Sequence, residues 1–316
     1  MTAETGQLQR VLSEGQLAIV VECIPPAARQ APDAEAVKKT AAVLRDKVDA
    51  VGVVDNRSEI LMSAVATAAI LQAEGIEPIV NVTTRDRNRI ALMSDVIGAR
   101  ALGLRNFLCT SGDHQTLGRE RAARNVFDLD SIQLLATLDR LRRDGVVFGD
   151  ESQAGSLSHR PCDLYLGAVA SPDADPQELQ AIRLAKKVEA GADFLITQPV
   201  FDVDRFGKWL DSLEPSQIAE KAAILAGILV PPSAARTREI RENVPAGWRV
   251  EIPDAVIERL ESVRPEQQRD EAISLAVELI GRLRALKDIR GFYLMTDGDA
   301  AAAVEVIERA GLRSDR

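Results

Sequence analysis

Residues 106–115 read Asn-Phe-Leu-Cys-Thr-Ser-Gly-Asp-His-Gln, a short apolar run that ends abruptly in a polar corner hinged on glycine. Such a run reads as a strand of a parallel sheet, and the residues just past its carboxyl end are the ones a parallel α/β fold aims at bound ligands. Ser111 and Gly112 expose backbone N–H groups there, and Gly112 lets the chain approach a flat or phosphorylated ligand closely. Asp113 is then either a ligand-facing carboxylate or the N-cap of the next helix, a place Asp also favours.

The same strand-then-helix unit recurs on both sides. Strands are expected at Leu17–Glu22, Ala50–Val54, Pro78–Thr83, Asn106–Thr110, Asp163–Ala168, Asp193–Gln198, Ala223–Leu229 and Gly291–Met295. Between them lie amphipathic segments such as Ala34–Lys47, Ser58–Ala73, Arg87–Ala101, Asp130–Arg143, Pro176–Ala190 and Gln267–Leu286, with apolar residues near i, i+3, i+4. Hand-offs such as Ala73-Glu-Gly-Ile and Ala190-Gly-Ala-Asp-Phe put glycine where a helix must stop before the next strand. Eight such units in 316 residues predict an α/β fold of one domain, a closed (β/α)8 TIM barrel over residues 1–316. An open doubly wound sheet is the alternative, and the absence of G-x-G-x-x-G after the first strand counts against it. The least regular stretch, residues 145–161, is rich in Gly, Ser and charge and reads as a surface insertion or a lid.

Composition narrows the function classes. With 46% hydrophobic and 28% charged residues the chain is of ordinary globular make-up and long enough to bury a large core. Its net charge of -9, from 39 Lys+Arg against 48 Asp+Glu, argues against a nucleic-acid surface or a polybasic membrane patch. Cys23, Cys109 and Cys162 are far apart without C-x-x-C spacing, and with only two histidines an all-protein metal site is not expected. Met1–Gly15 lacks the pattern of a secretory leader and no apolar run is long enough to span a bilayer, so the expected location is cytoplasmic.

In a barrel the strand ends form one rim, and here they are polar: Glu22, Asp55-Asn56, Thr83-Thr84-Arg85-Asp86, Thr110-Ser111-Gly112-Asp113, Thr197-Gln198 and Thr296-Asp297. Glu22 leaves the apolar run Ala-Ile-Val-Val and is followed by Cys-Ile-Pro-Pro, so the prolines direct the chain past its carboxyl. Desolvation in such surroundings disfavours the anion and suits a general acid, while a carboxyl paired with a basic residue is the plainer reading. The string Arg85-Asp-Arg-Asn-Arg89 reads either as a phosphate site at a helix N-terminus or, more commonly, as ion pairs with neighbouring acids. Lys186 and Lys187 sit on a helix, where exposed lysines need no special role and phosphate binding is the less common one.

Taken in order, Glu22-Cys-Ile-Pro-Pro, Leu108-Cys-Thr-Ser-Gly-Asp113, Lys186-Lys-Val-Glu-Ala-Gly-Ala-Asp-Phe-Leu-Ile-Thr-Gln198-Pro-Val-Phe-Asp202, Gly227-Ile-Leu-Val-Pro and Ile252-Pro253 resemble the methylenetetrahydrofolate reductase family along nearly the whole chain. The pieces Thr84-Arg-Asp-Arg-Asn-Arg-Ile-Ala-Leu, Ser111-Gly-Asp-His-Gln and Asn125-Val-Phe-Asp-Leu-Asp-Ser look most like the version in anaerobes using the reductive acetyl-CoA pathway. The resemblance implies a flavin-containing barrel, with FAD or else FMN, that reduces 5,10-methylenetetrahydrofolate to 5-methyltetrahydrofolate or runs the reverse. It implies Glu22 as the acid that opens the folate ring, Asp113 beside flavin and pterin, and Gln198 on the pterin. The same resemblance implies flavin contacts from Asn81, Thr83, Thr110, Ser111, Gly112, Asp113, Ala170, Lys187 and Tyr293. Its implied partners are the tetrahydrofolate substrate and either NAD(P)H or an electron-transfer subunit holding iron–sulfur or zinc, in a homo- or hetero-oligomer.

Three departures accompany the likeness. Asn81 in Val80-Asn-Val-Thr83 replaces a flavin-side His, and Ala170-Ser-Pro-Asp-Ala-Asp-Pro176 lacks the family's Tyr and His. No stacking aromatic follows the seventh strand in Pro231-Pro-Ser-Ala-Ala-Arg236. These departures motivate the alternative of a flavin-free folate-binding or methyl-transfer accessory barrel.

Overall fold

The computed structural model describes residues 5–30, 33–56, 59–145, 162–243 and 251–313. The chain runs α1 (Gln7–Ser13), β1 (Ala18–Cys23), α2 (Ala34–Leu44), β2 (Ala50–Val53), α3 (Ala64–Ala73), β3 (Pro78–Thr83), α4 (Arg89–Ala101), β4 (Asn106–Thr110), α5 (Ser131–Asp144) and β5 (Tyr165–Ala170). It continues through α6 (Gln177–Glu189), β6 (Phe194–Pro199), α7 (Val203–Leu213), α8 (Ile218–Lys221), β7 (Ala223–Leu229), α9 (Ala234–Asn243), α10 (Asp254–Glu261), α11 (Gln268–Leu283), β8 (Ile289–Met295) and α12 (Ala300–Arg309). Every strand pairs in parallel with the next, and β8 closes on β1. The expected (β/α)8 barrel is the fold found.

Local chemistry explains the element ends. Asp130 and Gln133 form a reciprocal capping box at the start of α5, and Asn88 and Asp299 cap α4 and α12 by accepting from backbone N–H groups. At the two hand-offs where the sequence places glycine after a helix, Gly75 and Gly191 take φ of +82° and +106°, which a side chain would resist. The sixteen-residue irregular stretch after Gly145 lies outside the described residues.

The core has two shells. An outer one joins the strands to the helices, with Leu44, Leu71, Phe107, Leu134 and Phe206 among its buried members. An inner one fills the barrel with Val20, Ile79, Leu108, Phe194, Leu225 and Tyr293. The N-terminal end of the barrel is stopped by α1, whose Leu8, Val11 and Leu12 join that inner shell. Glu77 accepts from the Gln7 and Leu8 N–H groups at the positive end of α1, and Arg290 donates to Leu12 O at 2.6 Å at its other end. A seven-residue helix ahead of the first strand breaks the βα alternation, which is why the hydrophobic period did not single it out.

Aromatic rings in the inner shell rest on glycines of other strands, from the next strand for Phe194 and across β1 for Tyr293. A Cβ at Gly167 would lie 2.3 Å from Phe194 Cζ, and one at Gly52 would lie 2.4 Å from Tyr293 Oη. Gly167→Ala is therefore expected to cost about 1–3 kcal/mol through overpacking, read as a lower urea midpoint at unchanged slope. An unmoved midpoint would mean that the inner shell yields freely around Phe194.

Candidate active site

Above the apolar inner shell, the inward-facing residues become polar toward the strand carboxyl ends. They surround a cavity of about 300 Å³ floored by Leu108, Val169 and Ile196. Of the residues singled out from the sequence, Glu22, Asn81, Thr83, Thr110, Ser111 and Gly112 line it, as do Asp113, Lys187, Gln198 and Tyr293. Ala170 does not. Its methyl group is packed in the outer shell, while Val169 and Ser171 on either side face the cavity, so any contact from position 170 is left to its main chain.

Glu22 is 8% exposed and pairs in register with Gly52 of β2. The strand runs one residue beyond the expected end, to Cys23, which packs in the outer shell. Burial, with the Glu22 charge beside it, pushes the Cys23 thiol up to about 12, leaving it inert near neutral pH. Past Glu22, the chain is tied to the loop after β2: Met62 N donates to Pro26 O at 2.8 Å and Ala28 N to Ile60 O at 2.9 Å. These bonds, together with Pro25 and Pro26, fix the path of the chain leaving the acid.

Asp113 follows Gly112, whose φ is +78° and whose missing Cβ would stand 2.4 Å from Thr83 Cγ2. The downstream helix caps are His114 and Asp130, so the N-cap reading of Asp113 gives way to the cavity-facing one. Arg85, 3% exposed, clamps this corner. It holds Asp86 through two bonds of 2.7 Å and donates to Asn56 O at 2.8 Å and to Asp113 O at 3.4 Å. Arg87 pairs with Asp55 and with Asp95, and Arg89 pairs with Asp128 at 2.8 Å, so the ion-pair reading of the basic string is the one found. Ser111 Oγ accepts from Ser131 N, at the first turn of α5, at 3.1 Å.

The opposite wall is cationic. Lys187 is half-buried and donates to Val169 O at 2.6 Å, and burial, followed by the charge of Arg183, pushes its ammonium down to about 8. This corrects the expectation that both lysines are simply exposed; Lys186 alone is. Arg183 lies one turn earlier and also lines the cavity, as do Arg85, Asn56 and Ser131. The sequence carried a signal for Arg183, since i and i+4 share a helix face. Asn81 Oδ1 is buried at the cavity wall with no hydrogen-bond partner among the described residues. A buried acceptor of this kind is costly unless a ligand supplies the donor.

A closed (β/α)8 barrel with an acid, a second carboxyl group and a cationic wall converging at its C-terminal mouth defines a barrel protein built around a small-molecule site. The chain belongs to the methylenetetrahydrofolate reductase family, whose sequence profile matches residues 7–311. It is 33% identical over 144 residues to methylenetetrahydrofolate reductase 1 of Schizosaccharomyces pombe, covering 45% of this chain and 23% of that protein. Similarity to a probable methylenetetrahydrofolate reductase (NADPH) of Caenorhabditis elegans is 22% over 262 residues, 81% of this chain and 36% of that one. The chain thus spans about a quarter to a third of these relatives' lengths. Among solved structures, an uncharacterized protein from Clostridium thermocellum that binds two copies of 5-methyl-5,6,7,8-tetrahydrofolic acid superposes with a TM-score of 0.61 at 14% identity, covering 96% of this chain and 99% of that one. EDTA monooxygenase from Chelativorans sp. BNC1 superposes with 0.58 at 10%, covering 95% and 94%. These likenesses establish a shared fold. Among the described residues, no helix is long and apolar enough to cross a membrane.

Proposed function

We propose that this barrel interconverts 5,10-methylenetetrahydrofolate and 5-methyltetrahydrofolate with a bound flavin, FAD or FMN, and draws electrons from NAD(P)H or from a partner subunit. The observation that carries this reading is the convergence of Glu22, Asp113, Gln198 and the unpartnered Asn81 oxygen on one cavity. Family membership supports the reaction, and the methylfolate bound by the C. thermocellum barrel supports the substrate class.

The donor set fits a flavin. Asn81 Oδ1 offers an acceptor to a ring N–H, the Thr83 and Thr110 hydroxyls stand 3.0 Å apart with both donor and acceptor capacity, and Lys187 with Arg183 suits an anionic phosphate tail. When bound, flavin would supply the hydride chemistry. Glu22 would deliver a proton to the weakly basic folate nitrogen as the ring opens. The Asp113 carboxylate would stabilise the cationic iminium formed on the folate, since a preorganised charge in a water-poor site costs no reorganisation. Gln198 would orient the pterin from β6.

An anaerobic visible spectrum of the flavin-reconstituted protein tests the reading. Methylfolate is expected to bleach the flavin band, and NADH in a separate trace reports whether a partner is needed. A band untouched by methylfolate would shift the weight to a folate-binding or accessory role.

Lys187 gives a pH signature. Below about pH 8 its ammonium is charged in the free protein and flavin affinity is flat; above about pH 8 affinity falls, because binding the anionic tail requires proton uptake. Lys187→Met is expected to remove that slope and to weaken flavin binding about tenfold or more. A slope that survives in Lys187→Met would assign the titration elsewhere.

A further inference from the structure

Between Ile196↔Leu225 and Pro199↔Gly227, β6 advances three residues while β7 advances two. The extra residue is a bulge at Thr197 and Gln198, at the edge of the cavity that both line. A bulge removes ladder partners, and here one side chain replaces them. Thr197 Oγ1, in a residue 2% exposed, accepts from Gly227 N at 2.8 Å and donates to Gln198 O at 2.8 Å. The ladder resumes at Val200 N, which donates to Gly227 O at 2.9 Å. The strands approach so closely that a Cβ at Gly227 would lie 2.4 Å from Thr197 O and 3.0 Å from the Gln198 carbonyl carbon.

We infer that Thr197 is a positioning residue that acts through Gln198: its hydroxyl holds the bulge open and thereby fixes the Gln198 carboxamide in the cavity. A hydroxyl donates and accepts at one atom, which this gap requires and a methyl group cannot supply. Without it, Gly227 N–H and Gln198 C=O are left buried and unmatched, and the available repair draws them into the ladder. A shift of one position in a strand turns the following side chain to the other face, so that repair moves Gln198. The effect on folate rests on the proposed role of Gln198; the geometric claim does not.

The test compares Thr197→Val, nearly isosteric, with Thr197→Ser, which keeps the hydroxyl. Crystal structures are expected to show Gln198 withdrawn from the cavity in Thr197→Val and retained in Thr197→Ser. In flavin-reconstituted protein, titration with 5-methyltetrahydrofolate is expected to weaken about tenfold in Thr197→Val and to be rescued in Thr197→Ser. Thr197→Val combined with Gln198→Ala should bind no more weakly than Gln198→Ala alone, because one residue acts through the other. Should Thr197→Val fail to fold, Thr197→Cys, with its weaker hydrogen-bonding sulfur, carries the same comparison. Gln198 unmoved in the valine or cysteine variant, or losses that multiply in the double variant, would overturn the inference. Wild-type protein with no affinity for methylfolate would instead defeat the proposed function, and the crystal structures would still decide the positioning role.

Discussion

Glu22→Gln is expected to slow folate turnover by about 10² to 10⁴ while flavin binding stays intact, the range over which a positioned general acid acts. The carboxyl group sits on an otherwise apolar strand, 8% exposed, with its backbone held by the barrel and its exit path tied to the loop after β2. Glutamine fills the same volume and keeps hydrogen-bonding capacity but cannot act as a proton donor of carboxylic-acid strength, so the variant tests the acid role without opening a cavity. Flavin reduction by a donor that bypasses folate should proceed at the wild-type rate, because that half-reaction asks nothing of the acid. A purely structural Glu22 predicts the opposite pattern: a lower unfolding midpoint and no selective loss in the folate step. Near-normal folate turnover in a well-folded variant would remove Glu22 from the mechanism.

The barrel was legible because each strand is buried on both faces, so that parallel strands read as continuous apolar runs separated by amphipathic helices. The site was legible for a related reason, since strand ends of a closed barrel meet at one rim and their polar residues converge wherever the loops go. What stayed hidden was parity. β5 lies two residues further along than expected, Tyr165–Ala170 rather than Asp163–Ala168, and its pleat places Val169 and Ser171 over the cavity and Ala170 behind the sheet. Asp163, ahead of the strand, forms an ion pair with Arg105, an interaction between residues 58 positions apart that no local pattern encodes.

Partners inside and outside the run together decided which charges were neutralised. The run Arg85 to Arg89 is locally indistinguishable from an anion site, yet its arginines find Asp86, Asp55, Asp95 and Asp128. The reverse holds on α6, where Lys186 and Lys187 are adjacent in sequence but only the second turns toward the cavity. The bulge in β6 is the clearest case. In Ile-Thr-Gln-Pro the proline, which has no N–H for a ladder, hints at irregularity, but the place of the extra residue is defined only in relation to Gly227 on the neighbouring strand.

Asp113→Asn is expected to raise the potential of the bound flavin by roughly 30 mV or more and to slow the folate half-reaction by about 10². The sign follows from charge: removing an anion from the cavity wall favours the form of the cofactor that has gained electrons. The effect should exceed that of a surface carboxylate, because this corner is held in a fixed geometry and partly shielded from water. Arg85 is pinned by Asp86 and Asn56 and stays in place when Asp113 loses its charge, so no cation swings in or out to offset the change. Asp86 first, then the charges of Asp86, Asp55 and Asp113, holds that guanidinium above its ordinary range against the effect of burial, so it does not deprotonate to compensate. The two carboxyl variants therefore separate by observable. Glu22→Gln should stop the proton-dependent folate step while flavin reduction by another donor continues, whereas Asp113→Asn should move the potential and slow a step that retains its acid. An Asp113→Asn protein with wild-type potential and wild-type folate kinetics would return Asp113 to a structural role in the loop after β4, and the cationic wall with Glu22 alone would have to account for the chemistry.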